Sequence, residues 1–355
     1  MHHDRPARLT ARADFLVSGG GGSVLTYSKP WLSVDDQIDL IRARGVVVDD
    51  HAGAADLLRE VGYYRLTGYL YPFRRSGVRS LPDGRREVVV DDRYREGTSL
   101  AEAHELLSFD RALRVLVLEA VERIEVAVRT RLAYAMGRLS PFAHEEPSTF
   151  TSAFTGPREA HGGGSEHQVW LDRLAERQAR SDESFVRHFR ERYDGRMPIW
   201  VVTELLEFGQ VSRLYGGLRN DLATEVANAF DVPTKQLMRS WLAAVNYVRN
   251  VAAHQARLFN RKLVVAPKRP TARQVPALAH LTSGSAPKQF GVYDVLAVMA
   301  HLLDSVPSNV DWQERTAALL RAFPETTVVD VRSTGTDPGW LTEPLWHPRH
   351  REREG

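Results

Sequence analysis

Residues 234–259 contain neither proline nor glycine, and Trp241, Val245, Val248 and Ala252 recur within them at i, i+4, i+7 and i+11. That spacing draws one apolar stripe along a 3.6-residue period, so the window reads as an amphipathic helix that buries the stripe. Asn246, Asn250, His254 and Arg257 repeat the spacing on the opposite face. Exposed helix faces are usually filled with Lys, Glu and Ala. Two amides, an imidazole and a guanidinium in one row point instead to a site or an interface. Arg249 adjoins Asn250, five residues before His254. Arginine, an amide and an imidazole are what cleavage of an RNA phosphodiester needs without a metal. The arginine neutralises the phosphate, and the histidine moves a proton to or from the 2′-hydroxyl or the leaving 5′-oxygen.

The bare Arg-to-His spacing is not selective. With 42 Arg and 13 His, roughly four or five pairs with four to six intervening residues arise by chance. Four are present: Arg249/His254, Arg138/His144, Arg44/His51 and Arg273/His280. The last three span Pro141, Gly45 and Pro276 respectively, so none of them lies in one unbroken helix. Asn250 and His254 are i,i+4 neighbours, whereas Arg249 projects about 140° away from His254 on an ideal helix. The plain alternative is a surface helix whose histidine caps or solvates its face.

Charge adds to the argument. The net charge is only +2, but no Asp or Glu occurs between Asp231 and Asp294. That interval carries ten cations, among them Arg257, Arg261, Lys262, Lys268 and Arg269, the candidate RNA contacts. A coding bias toward arginine explains the cations but not the missing acids. The chain has no cysteine, which excludes a disulfide framework and thiolate chemistry. There is no apolar run of membrane-spanning length and no signal-peptide core near Met1, so the expected location is the cytoplasm. Walker, dinucleotide, HExxH and GxSxG motifs are all missing. His161 and His167, with Glu159 and Glu166, match no metal-ligand spacing, and no cofactor or metal is expected.

The remainder reads as helices with one hairpin. Residues 1–28 carry a Gly-rich run and read as a flexible tail. Ser33 caps a helix to Ala43, ended by Gly45, and a second helix covers 52–61. Tyr63, Tyr64, Tyr69 and Tyr71 suit core packing better than base stacking. Glu87–Asp91 is a strand paired with 73–79. A long helical pair covers 100–138, in which Glu122 and Glu125 are candidate partners for Arg249 or Arg129. Residues 140–167 are a loop. Helices follow at 168–193, 199–217, 220–230, 234–259, 290–305 and 311–322.

Several blocks together resemble the Abi-like (abortive-infection) proteins of the AbiD/AbiF group, whose core is a HEPN domain. They are Lys29-Pro30-Trp31-Leu32-Ser33, Gly62-Tyr63-Tyr64-Arg65-Leu66-Thr67-Gly68-Tyr69, Phe109-Asp110-Arg111-Ala112-Leu113-Arg114, Pro198-Ile199-Trp200 with Glu204 and Phe208-Gly209, and Arg249-Asn250 to His254 with Arg257-Leu258-Phe259-Asn260. Phe259 stands where the family usually has Trp. The resemblance runs from about residue 29 to 320. It implies a mainly α, HEPN-type bundle over 99–323, an N-terminal helical subdomain with the hairpin over 29–98, and a C-terminal tail over 324–355. It further implies a metal-independent endoribonuclease with Arg249 and His254 as the catalytic pair and Asn250 as helper. The implied partners are a second copy of the chain, whose helix completes the site, and a small-RNA antitoxin in toxin members. A HEPN module that binds RNA or protein without cutting remains the alternative.

Overall fold

The computed structural model describes residues 30–347 apart from 159–162, 288, 290, 308–310 and 338. The 1–28 tail, Lys29, Glu159, His161, Lys288 and His350 lie outside the described residues. The chain is mainly helical, with one two-stranded antiparallel hairpin near its N-terminal end. It divides into two compact units. One runs to Ser108 and takes in Pro324–Val329; the other comprises Phe109–Phe323 and the chain from Asp330 onward.

In the first unit, Ser33 and Asp36 form a reciprocal capping box that starts α1 (Val34–Ala43). Gly45, at φ 97°, takes the left-handed turn that ends it. Asp50 caps α2 (His51–Val61). The structure adds α3 (Tyr63–Leu70), which the sequence reading did not assign. It buries Leu66, Tyr69 and Leu70, while Tyr64 stays exposed, so the tyrosine cluster divides between core and surface. β1 (Arg74–Ser80) and β2 (Arg86–Tyr94) pair with Val78 opposite Val88 and Arg79 opposite Glu87.

The expected helical pair over 100–138 is one helix, α4 (Leu100–Gly137), because no proline or glycine interrupts it before its last residue. From Phe109 on it belongs to the second unit. The 140–167 segment holds a short helix, α5 (Ser152–Thr155), and a bridge from Phe150 to Leu218. Two expected helices are each broken. Residues 168–193 form α6 (Glu166–Arg180) and α7 (Ser184–Arg192). Residues 199–217 form α8 (Ile199–Leu205) and α9 (Phe208–Gly217), where Glu207 leaves the helical region and caps α9 with Gln210. α10 (Asn220–Asn228), α11 (Lys235–Ala253), α12 (Val292–Leu303) and α13 (Trp312–Arg321) follow. α12 is buried on every side, and its sequence is apolar apart from Asp294 and His301. α11 packs its Trp241, Val245 and Val248 stripe inward and contacts α9, α10 and α12. The stretch read as a C-terminal tail buries Trp340 and Trp346 beside Tyr293. Among the described residues no helix is long and apolar enough to cross a membrane.

Candidate active site at the end of helix α11

α11 ends at Ala253, six residues before the sequence expectation, and His254 is its C-cap at φ −84°, ψ 12°. The Gln255 N–H donates to the Ala252 carbonyl at 2.9 Å and the Ala256 N–H to the Val251 carbonyl at 2.9 Å. These two bonds are the Schellman closure of a helix, with Gln255 at φ 56° where glycine is usual. A left-handed residue with a Cβ costs roughly 1–2 kcal/mol, part of which glycine would return as chain entropy. Gln255→Gly is therefore expected to raise unfolding stability by about 0.5–1 kcal/mol in urea titration without changing the turn. A loss of stability would mean that the turn is not the one described.

The chain beyond the turn is anchored by a residue to which the sequence reading gave no role. Asp110 of α4 is fully buried, and its Oδ1 accepts from the Leu258 N–H at 3.0 Å and the Phe259 N–H at 2.7 Å. Its Oδ2 pairs with the buried Arg114 guanidinium. Leu258 and Phe259 are themselves fully buried, and Asn260 takes a second left-handed position at φ 48°, which asparagine tolerates. Each part of the Arg257-Leu258-Phe259-Asn260 block thus has a conformational or packing reason. Arg257 lies beyond the helix, so it does not continue the Asn246, Asn250 and His254 row; its guanidinium stands 5.8 Å from the Phe259 ring centroid.

The turn presents His254 and Asn250 to solvent, while Arg249 is half-buried. Arg249 Nη1 donates to Asn250 Oδ1 at 3.2 Å. Among the described residues the His254 side chain has no hydrogen-bond partner, and no hydrogen bond joins it to Arg249. Glu125 of α4 forms an ion pair with Arg129. Burial pushes the Glu125 carboxyl above its usual range, opposed by Arg129 and by the nearby Arg249 charge. Of the two candidate carboxylates, Glu125 is therefore the one near Arg249, whereas Glu122 is exposed.

The other three Arg/His pairs are occupied in the fold. His51 bonds Asp35 at 3.0 Å and Arg44 donates to the Tyr63 hydroxyl at 3.0 Å. Arg138 pairs with Glu225 at 2.7 Å, and burial lowers the pKa of His144 to about 4. His280 is buried within 3.2 Å of the Tyr293 hydroxyl. Only His254 combines exposure with an unengaged ring among the four.

The candidate RNA contacts separate into two groups. Lys262 is exposed, and Arg261 holds the Arg257 carbonyl at 2.7 Å. Lys268 is exposed and anchored beside α11, with its N–H on Ser240 Oγ at 2.8 Å and its ammonium on Gln236 at 3.0 Å. Arg269 is placed otherwise. Its guanidinium meets the buried Asp294 at 2.7 Å and the Pro287 carbonyl at 2.9 Å, so its charge is committed to the interior. His167 is also structural. It bonds the His144 carbonyl at 2.8 Å and stacks on Phe150, while Glu166 serves Arg158 and Arg213. Asn246 and Asn250 border a cleft of about 1100 Å³ that continues along α11 toward Arg239 and Lys235, two residues the sequence reading did not single out as contacts.

The fold and this helix end define a helical protein with a polar site set on a Schellman turn. The chain matches the family model described as Abi-like protein over residues 56–260, more than half its length, and belongs to that family. The match covers the hairpin, α4, Asp110 and the whole Arg249-to-Asn260 block. No curated protein and no solved structure matches the chain.

Proposed function

We propose that this Abi-like protein acts in abortive infection as a metal-independent, HEPN-type endoribonuclease. The observation that carries the reading is the helix end itself. An exposed, unengaged His254 stands one turn from Asn250, whose amide holds Arg249 at 3.2 Å. In the proposed reaction a base takes the proton of a ribose 2′-hydroxyl, and the 2′-oxygen attacks the adjacent phosphorus. The 5′-oxygen leaves and takes a proton, giving a 2′,3′-cyclic phosphate and a 5′-hydroxyl. His254 handles the proton, Arg249 neutralises the phosphorane charge, and Asn250 fixes the arginine. One histidine cannot be poised as both base and acid for a single bond. A two-fold dimer that brings two such helix ends together would supply both, and isologous dimers are the commonest assembly.

The reaction is tested by its products. In excess EDTA, cleavage of a mixed-sequence RNA is expected to continue at the same rate and leave cyclic phosphate and 5′-hydroxyl ends. Cleavage that stops in EDTA and returns with Mg²⁺, or products bearing 5′-phosphate, would mean that a metal generates the nucleophile instead. RNA retention without any cleavage would favour the non-catalytic binding module.

A further inference from the structure

The polar face of α11 extends beyond Asn250 and Asn246 to Arg239 and Lys235, and all four line the same cleft of about 1100 Å³ within the second unit. From Lys235 to Asn250 the helix rises roughly 22 Å. The charged lining is Arg158, Arg213, Lys235 and Arg239 against one carboxylate, Glu166. Glu166 is shared by Arg158 at 3.1 Å and Arg213 at 3.6 Å, and among the described residues the other two cations have no acid partner.

Lys235 and Arg239 stand one turn apart, an arrangement that is unfavourable for like charges unless something negative lies against them. The Lys235 ammonium donates to the Leu218 carbonyl, and its pKa is lowered by burial and by the Arg239 charge. Arg239 is exposed and makes no hydrogen bond or ion pair among the described residues. The N-terminus of α11, capped by Thr234, opens into the same cleft and adds the positive end of a 19-residue helix. α9 packs directly against this face at Gly209 and Gly216, where an added Cβ would lie 3.5 Å from the Asn246 amide and from Arg239 Nε. The Asn246 amide likewise makes no hydrogen bond among the described residues.

We infer that this cleft binds the phosphodiester backbone of single-stranded RNA next to the cut bond, with Lys235 and Arg239 each neutralising a phosphate. The inference rests on the nuclease reading for the position of the cut bond, not for the contact itself. The shape argues for a chain over a small anion: the groove is long, it reaches Asn250, whose amide holds Arg249, and two cations are followed along it by two amides. Sequence preference is not expected from such contacts, because cations on phosphates position a strand and do not read its bases.

The test measures binding apart from cleavage. A 5′-fluorescein-labelled, unstructured RNA dodecamer is titrated by anisotropy against full-length His254→Ala protein in EDTA over a series of salt concentrations. Adding Lys235→Ala and Arg239→Ala is expected to raise Kd about tenfold near 0.1 M salt and to flatten the salt slope by about 1.4, two single-strand contacts. Arg239→Glu alone, at an exposed site, should weaken binding in the same direction and remains readable if the double variant unfolds. Arg173→Ala with Arg180→Ala removes equal charge from another surface cleft and should leave Kd and slope unchanged. Unchanged binding in the Lys235 and Arg239 variants overturns the inference, as does an equal loss in the Arg173 and Arg180 control. Displacement of the RNA by polyglutamate at matched charge also overturns it and marks an acidic-peptide groove. If His254→Ala protein still cuts RNA, the catalytic assignment fails while this binding comparison still stands or falls on its own.

Discussion

His254→Ala is expected to lower RNA cleavage by about 10²–10⁴-fold while leaving the thermal midpoint within about 2 °C of the parent protein. The first half follows from removing the imidazole that carries the proton in the proposed reaction. The second follows from position. His254 is an exposed C-cap whose fixed contacts are made by its backbone N–H to the Asn250 carbonyl, a bond that alanine keeps. Circular dichroism and a cleavage assay on the same preparation decide the matter. A variant that fails to fold would make His254 a structural residue, contrary to its exposure. A folded variant that cuts at full rate would remove it from the chemistry. The same protein also tests the dimer. Mixed in excess with wild type under exchange conditions, inert subunits should hold activity below the wild-type fraction, since each site would draw on both chains. Activity equal to that fraction would leave one chain sufficient. Arg249→Ala should lose cleavage as well and, unlike His254→Ala, weaken RNA binding.

What could be read from the sequence was whatever its own neighbours determine. Ser33 and Asp36 form a cap within one turn, so the start of α1 was legible to the residue. The apolar stripe of α11 was equally local. The end of α11 was not. No glycine or proline marks residue 255, and the turn is held by Asp110, which is 148 residues earlier than Leu258. The break between α8 and α9 carries no proline or glycine either; Glu207 and Gln210 make it by capping. The acid-free interval misled in one respect for the same reason. Arg269 finds its counter-ion in Asp294, just beyond the interval in sequence and 2.7 Å away in space. Lys235 and Arg239 lay in view on the helix, yet the walls that make them part of a cleft come from segments near Phe154 and Gly216. Periodicity identifies a polar face; only the fold shows whether that face is open surface or the side of a groove.

Asp110→Ala is expected to cost about 3–5 kcal/mol of unfolding free energy, which for a unit of this size lowers the midpoint by about 10 °C or more. A buried ion pair contributes modestly as a pair, because burial of both charges offsets their attraction. Losing one partner is different. Arg114 would keep a buried positive charge, and the Leu258 and Phe259 N–H groups would each lose an acceptor inside the core. Asp110→Asn should fall between the parent and the alanine variant, since its amide oxygen can still accept from the two N–H groups while the charge opposite Arg114 is gone. Denaturant titration of the three proteins orders them. A loss under about 1 kcal/mol in Asp110→Ala would show that the carboxylate does not hold the chain after the turn. The consequence for the site is separate and measurable. The segment that Asp110 fixes begins four residues after His254, so the alanine variant should lose cleavage even well below its own midpoint, as the helix end loses its fixed geometry. Loss of cleavage with stability intact would instead place Asp110 in the chemistry. Loss of stability with cleavage intact at low temperature would mean that the Schellman turn positions His254 without its anchor.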